Sequence, residues 1–230
     1  MSLPSLPPAR GRRRTRGPSG ASRLAAVLGT GLLLAFGTVA CSDDDGGAGG
    51  AGATAAGTAV TGPLCDLLPS GTDPGNPASL AAMPVDEALR WITVLTTFEA
   101  ALRASGLATE LRGMTGLTIL APTDDAFGAK FSEDNLDELL ITRKDELRAL
   151  LRAHVVDGAH PLAQLRDVGR ITTLDGTSLP VTGAGAMVRV GDGAETVCAD
   201  YRIGNGRIHV VNKVLGNLPT TADGKDHRGH

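Results

Sequence analysis

Asp124 and Asp125 stand side by side in TILAPTDDAF, Thr118–Phe127, behind a β-branched and aliphatic run that meets a proline. Adjacent carboxylates suit general acid–base chemistry or a hard cation such as calcium. They equally suit the polar opening of a helix. The pair has no catalytic partner at a defined spacing, and a calcium-type site needs more converging ligands than one Asp pair supplies.

The histidines pose the same choice between chemistry and packing. His154 ends an apolar helix face, where a hydrogen-bonded core imidazole competes with a general base. His209 alternates with Ile208 and Val210, so it lies on the opposite strand face. His227 and His230 belong to the polar stretch DGKDHRGH, which suits only weak, adventitious metal binding. No G-x-S-x-G, H-E-x-x-H or P-loop pattern occurs. No cofactor is implied.

The first forty residues carry six arginines and no other charge, so residues 41–230 hold 16 Lys+Arg against 25 Asp+Glu, a formal charge of −9. An acidic chain without a basic stripe is a poor match for nucleic acid, whose phosphates need clustered Lys and Arg. GRRRTRGPSGASR followed by LAAVLGTGLLLAFGTVAC reads as a secretory signal over residues 1–40. Its end resembles a bacterial lipoprotein processing site, with Cys41 as the lipidated residue; Thr38 departs from the usual Leu at −3. Ordinary cleavage, giving a secreted soluble protein, is the alternative.

Residues 41–62 are acid, Gly, Ala and Thr, with no large apolar residue before Val60. Such a segment cannot offset the entropy of ordering and reads as a tether. About twenty residues of it would reach roughly 25 Å. With Cys41 assigned to lipid, Cys65 and Cys198 remain. An oxidising compartment would bridge them; two separate buried thiols is the other reading. No C-x-x-C is present.

The domain that must position these residues spans 63–217, followed by a polar tail over 218–230. It splits into a helix-rich first part and a strand-rich second part. MPVDEALRWITVL, TTFEAALRASGL, DNLDELL and RKDELRALLRAHVV show helical apolar spacing. Phe98, Ala101, Leu102 and Ser105 line up on one face, Gly106 is a natural end signal, and Leu147, Leu150, Leu151 and His154 share another face. LTILAP is a short buried strand. After Pro161, β-rich segments flank Asp175-Gly176, Gly191-Asp192-Gly193 and Asn205-Gly206, which are hairpin signals. Helices first and strands later predict an α+β fold.

Three segments in order resemble the fasciclin-like FAS1 family: LTILAPTDDAF, LLRAHVVDG and NGRIHVVNKVL. FEAALRASGL and TTLDGTSLPV match as well, so the resemblance covers Val85 to Leu215. Cys65 and Cys198 extend it to the secreted, single-domain mycobacterial MPB70-type proteins, which carry a similarly placed disulfide. One departure stands out: the family's usual Tyr before the histidine is Ala153 here. The resemblance implies one FAS1 domain, with helices packed on a wedge-like antiparallel β-sandwich. It also places a helix start just after Ala121-Pro122. Thr123 then falls at the N-cap, where its hydroxyl accepts a backbone N–H. Asp124 and Asp125 occupy the first turn, where the dipole favours each by roughly 0.3–1 kcal/mol, and Phe127 opens the apolar face. Asn205, Gly206, His154 and His209 are motif residues with structural tasks.

The function expected is that of an extracytoplasmic, lipid-anchored binding or adhesion module contacting a cell-envelope or matrix protein or glycan. Adhesion is what the resemblance implies. A carrier or sensor for a small apolar or glycan ligand is a second class. A hydrolase using His154 or the Asp pair is a third.

Overall fold

The computed structural model describes residues 59–218. The signal-like segment, Cys41, most of the tether, and the tail from residue 219 with His227 and His230 lie outside them. The described chain is already paired before residue 63: Thr61 and Ala199 exchange backbone hydrogen bonds of 3.1 and 2.8 Å. Val60 and Leu64, the first large apolar residues after the Gly/Ala run, pack against the core and draw this segment in.

Helices come first: α1 (Pro77–Leu80), α2 (Val85–Ala88), α3 (Thr96–Ala104) and α4 (Leu107–Arg112). Strand β1 (Leu117–Pro122) leads into α5 (Asp124–Lys130), α6 (Glu133–Ile141) and α7 (Lys144–Arg152). Next come β2 (Val155–Asp157) and α8 (Leu162–Val168). The chain ends in β3 (Arg170–Thr172), β4 (Ser178–Ala184), β5 (Met187–Val190), β6 (Ala194–Ile203) and β7 (Gly206–Val211).

The α+β expectation holds, and the differences have local causes. MPVDEALRWITVL is not one helix: α2 ends at Ala88 and two 3₁₀ turns follow, Leu89–Trp91 and Thr93–Leu95. Between them, buried Ile92 adopts extended backbone (φ −96°, ψ 96°), a conformation its β-branch favours over helix. RKDELRALLRAHVV stops being helical at Arg152, because Val155 and Val156 are needed on opposite faces of the sheet. The strand-rich second part also contains a helix, α8. Pro161 precedes it, Leu162 and Leu165 are buried, and left-handed Gly169 (φ 67°) ends it.

The strands form one sheet in the order β2-β1-β7-β6-β5-β4-β3. Neighbours are antiparallel except for β1 and β7, which run parallel from Leu117↔Gly206 to Pro122↔Val211. The sheet is therefore mixed rather than wholly antiparallel. β1 and β7 are far apart in sequence, and a long crossover rather than a hairpin joins them, which permits the parallel sense. The outer strands meet at the bridge Val156↔Thr173, so the sheet curls almost into a barrel.

Both sheet faces are buried, which explains why β1 reads as an unbroken apolar run. Leu117, Ile119 and Ala121 face a core shared with α1–α7, where Phe98, Leu102, Leu147 and Leu151 pack. Leu120 faces a second core with Leu162 and Leu165 of α8 and Val188, Val190 and Val211.

Candidate functional site

The three motif segments form neighbouring strands β2, β1 and β7. Their register is pinned at Gly206, where a Cβ would stand 2.0 Å from the Leu117 carbonyl oxygen. Asn205 is more than a turn residue. Its Oδ1 accepts from Val85 N at 3.2 Å, and its Nδ2 donates to the carbonyls of Leu111 and Met114 at 2.8 and 3.3 Å. It thereby fastens the end of the β6–β7 hairpin to α2 and α4.

Thr123 follows buried Ala121 and Pro122, and its hydroxyl accepts the Ala126 backbone N–H at 3.1 Å at the start of α5. Phe127 is buried behind it. Asp125 is exposed. Asp124 turns instead towards α3, whose N-cap residue Leu95 provides no side-chain cap. Its Oδ1 accepts from Thr97 N at 2.7 Å, and its Oδ2 accepts from Thr96 Oγ1 at 2.8 Å and Thr96 N at 3.3 Å. The two aspartates therefore diverge: one joins two helices and the other faces solvent. Among the described residues no three of His, Cys, Asp and Glu converge as metal ligands.

His154 is fully buried at the end of α7. Nδ1 lies 2.9 Å from the Leu150 carbonyl, while Nε2 accepts the Leu215 backbone N–H at 2.8 Å. The second bond requires a bare Nε2, so Nδ1 carries the proton and donates to Leu150. Burial pushes the pKa down to about 4, with the hydrogen bond to Leu150 opposing it. Both nitrogens are engaged by backbone, so the imidazole would have to break a hydrogen bond to accept a proton.

His209 is equally buried, because the face of β7 opposite Ile208 and Val210 is covered too. Its Nδ1 accepts from Asp200 N at 3.2 Å and its Nε2 donates to the His160 carbonyl at 2.9 Å. Asp200 has φ 72°, within an irregularity of β6 that turns its N–H to the imidazole. Its Oδ1 accepts from Leu162 N at 3.0 Å and Arg207 Nη1 at 3.1 Å. Burial again lowers the histidine's pKa.

Cys65 and Cys198 form a disulfide, with Cα atoms 5.1 Å apart, that ties a 3₁₀ turn at Cys65–Leu67 to β6. Cys41 lies outside the described residues.

A cleft of about 400 Å³ opens beside the motif strands. Its walls are the end of α5, the end of α7, the β3–β4 and β5–β6 turns, and the segment following β7. That segment is held by His154 at Leu215 and by Lys130, whose ammonium donates to the Gly216 carbonyl at 2.8 Å. Ala153, the residue before His154, lines the cleft. Sequence reading passed over Lys130, Asp200 and Lys213; nothing local marks them, because their neighbours come from distant segments.

Residues 93–218 match the family model of the fasciclin domain. Immunogenic protein MPB70 of Mycobacterium bovis is 34% identical over 164 residues, covering 68% of this chain and 81% of that protein. Protein sll1483 of Synechocystis sp. is 33% identical over 138 residues, covering 60% of this chain and 76% of that protein. Transforming growth factor-beta-induced protein ig-h3 of Sus scrofa is 33% identical over 126 residues, or 55% of this chain but 18% of that longer protein. Among solved structures, a FAS1 domain pair from the insect cell adhesion molecule fasciclin I aligns with 52% of this chain and 44% of that chain, at 21% identity and a TM-score of 0.42.

Proposed function

Because the chain belongs to the fasciclin domain family, we propose that it is an extracytoplasmic binding module of the adhesion type, anchored through a lipid on Cys41. It would contact a protein or glycan of the cell envelope or matrix. The observation that carries this reading is how the polar motif residues are used: His154, His209 and Asp124 are all committed to backbone partners. They hold the fold, and none is free for turnover. The Cys65–Cys198 disulfide supports an oxidising compartment. Among the described residues no helix is long and apolar enough to cross a membrane.

Two acyl chains give stable attachment where one gives marginal binding. Many anchored copies would then convert weak individual contacts into avid ones. The full chain displayed on beads is expected to retain purified envelope fragments, while the monomeric chain binds them only weakly. Equal retention by beads carrying an unrelated acidic protein would sink the proposal. Intact mass should show a lipid-modified Cys41, and Cys41→Ser should move the protein out of the detergent phase. An unmodified N-terminus would remove the anchor. A screen with ester, peptide and glycoside substrates should show no activity that His154→Ala abolishes; such activity would make the protein an enzyme.

A further inference from the structure

We propose that the cleft beside α5 and α7 binds a small aliphatic carboxylate, with the anionic head at Lys130 and Lys213 and the apolar body over Ala153, Leu179 and Leu215. Its volume, about 400 Å³, falls within the roughly 300–1,000 Å³ of small-molecule sites.

The two unpaired lysines suit an anionic head. In the ion pairs found among the described residues the cation is always an arginine. The two lysines lining the cleft stand outside those pairs. Lys130 is half-buried and spends one of its three donors on the Gly216 carbonyl, so two remain for a ligand. A partly desolvated ammonium without a counter-ion is costly, and burial already lowers its pKa. Asp175 lines the same cleft but forms no ion pair with Lys130 among the described residues. Its carboxylate accepts from Thr173 Oγ1, Thr177 N and Thr177 Oγ1 at 2.5, 3.0 and 2.8 Å within its own turn. Asp192 sits at an exposed turn, on the rim. Two carboxylates and two ammonium groups thus line the cleft, and among the described residues neither lysine forms an ion pair, which leaves both ammonium groups to an anionic ligand.

The apolar wall defines the rest of the ligand. Ala153 ends α7 with a single methyl group, and Leu215, on the wall of the same cleft, is held by the His154 hydrogen bond. Among the described residues no aromatic side chain lines the cleft, so the body it fits is aliphatic rather than a stacked ring. This site is independent of the adhesion reading, and either can fail without the other.

The test is an NMR titration of the ¹⁵N-labelled full chain with sodium octanoate at low salt, with octan-1-ol as the neutral control. Saturable shifts are expected at the amides of Ala153, Leu215 and Gly216, with octan-1-ol binding much more weakly. Lys130→Gln with Lys213→Gln should weaken octanoate about tenfold or more, and Ala153→Phe should fill the cleft and abolish the shifts. Should the Phe variant fail to fold, the lysine pair, which is partly exposed, still decides. Absent or non-saturable shifts, shifts centred elsewhere, equal affinity for octan-1-ol, or unchanged affinity in the double Gln variant would each overturn the proposal.

Discussion

The Asp124 carboxylate closes the open end of a helix to which it does not belong, accepting the Thr97 backbone N–H at 2.7 Å. α5 and α3 are thus joined end to end: Thr123 caps its own helix and Asp124 caps its neighbour. Charge-assisted hydrogen bonds contribute about 1.5–3 kcal/mol. Asp124→Ala should therefore cost about that much, and Thr123→Ala about 0.5–2 kcal/mol. Asp125→Ala, at an exposed position, should stay within about 0.5 kcal/mol. Denaturant midpoints would rank the three. Calcium or magnesium raising the wild-type melting temperature, but not that of the Asp variants, would restore the metal reading.

Acidification should weaken the fold through His154. In the unfolded chain an imidazole titrates near 6.5, whereas in the folded protein the pKa is lowered to about 4. Between those values the unfolded chain takes up the proton and the folded chain does not. Stability is therefore complete above about pH 6.5 and falls as pH drops towards 4, by on the order of 3 kcal/mol. His209 is shifted in the same direction and adds to the loss. Urea midpoints at about pH 7 and pH 4.5 should differ, and the difference should shrink in His154→Gln. A wild-type midpoint unchanged across that window would contradict the assignment.

What was legible in the sequence was local. Asp175-Gly176 and Asn205-Gly206 mark hairpins because turn geometry is set by adjacent residues, and Thr123 caps a helix that starts at the next residue. The parallel pairing of β1 with β7 was not legible, because it depends on a Leu117–Gly206 contact across the whole domain. Helix α8 was masked by brevity: two buried leucines three apart give a thin stripe in a region rich in turn signals. The bond from Asp124 to Thr97 left no trace, since each residue already has a plausible task within its own helix. The cleft was equally hidden, because Lys130, Ala153 and Lys213 come from three separate segments.

Gly206 should tolerate no side chain. A Cβ there would fall 2.0 Å from the Leu117 carbonyl oxygen and 2.9 Å from the Leu117 carbonyl carbon, both backbone atoms. Gly206→Ala must push β1 and β7 apart, with an expected loss of about 3 kcal/mol or more. Asn205→Ala leaves the Val85 amide and the Leu111 and Met114 carbonyls without this partner and should cost about 1–3 kcal/mol. Thermal unfolding of both variants checks the order; a Gly206→Ala protein as stable as wild type would mean the strand pairing is looser than described.

Tyr201 predicts the opposite sign. It is 1% exposed, and its hydroxyl has no hydrogen-bond partner among the described residues. Burial without a partner also pushes its pKa up to about 12. An unsatisfied buried polar group costs about 1–3 kcal/mol. Tyr201→Phe keeps the ring and removes that group, so stability should be unchanged or rise by about 1 kcal/mol. A clear loss in chemical denaturation would reveal a buried partner, such as an internal water.

The Cys65–Cys198 bond should matter most at the start of the described residues. It links residues 133 apart in sequence, fastening a 3₁₀ turn to β6. Leu64 N donates to the Val197 carbonyl at 2.9 Å beside it, and Thr61 pairs with Ala199 one step further along. A loop of this length corresponds to roughly 4–5 kcal/mol by chain entropy, with about 2–4 kcal/mol typical in practice. The double variant Cys65→Ala/Cys198→Ala should lose stability in that range. Its earliest effect should be local: the amides of Thr61, Leu64 and Ala199 should exchange hydrogen faster than those of β1, which is buried along its whole length. Two alkylatable thiols in native exported protein would refute the bond itself, and uniform acceleration across the domain would refute its local role.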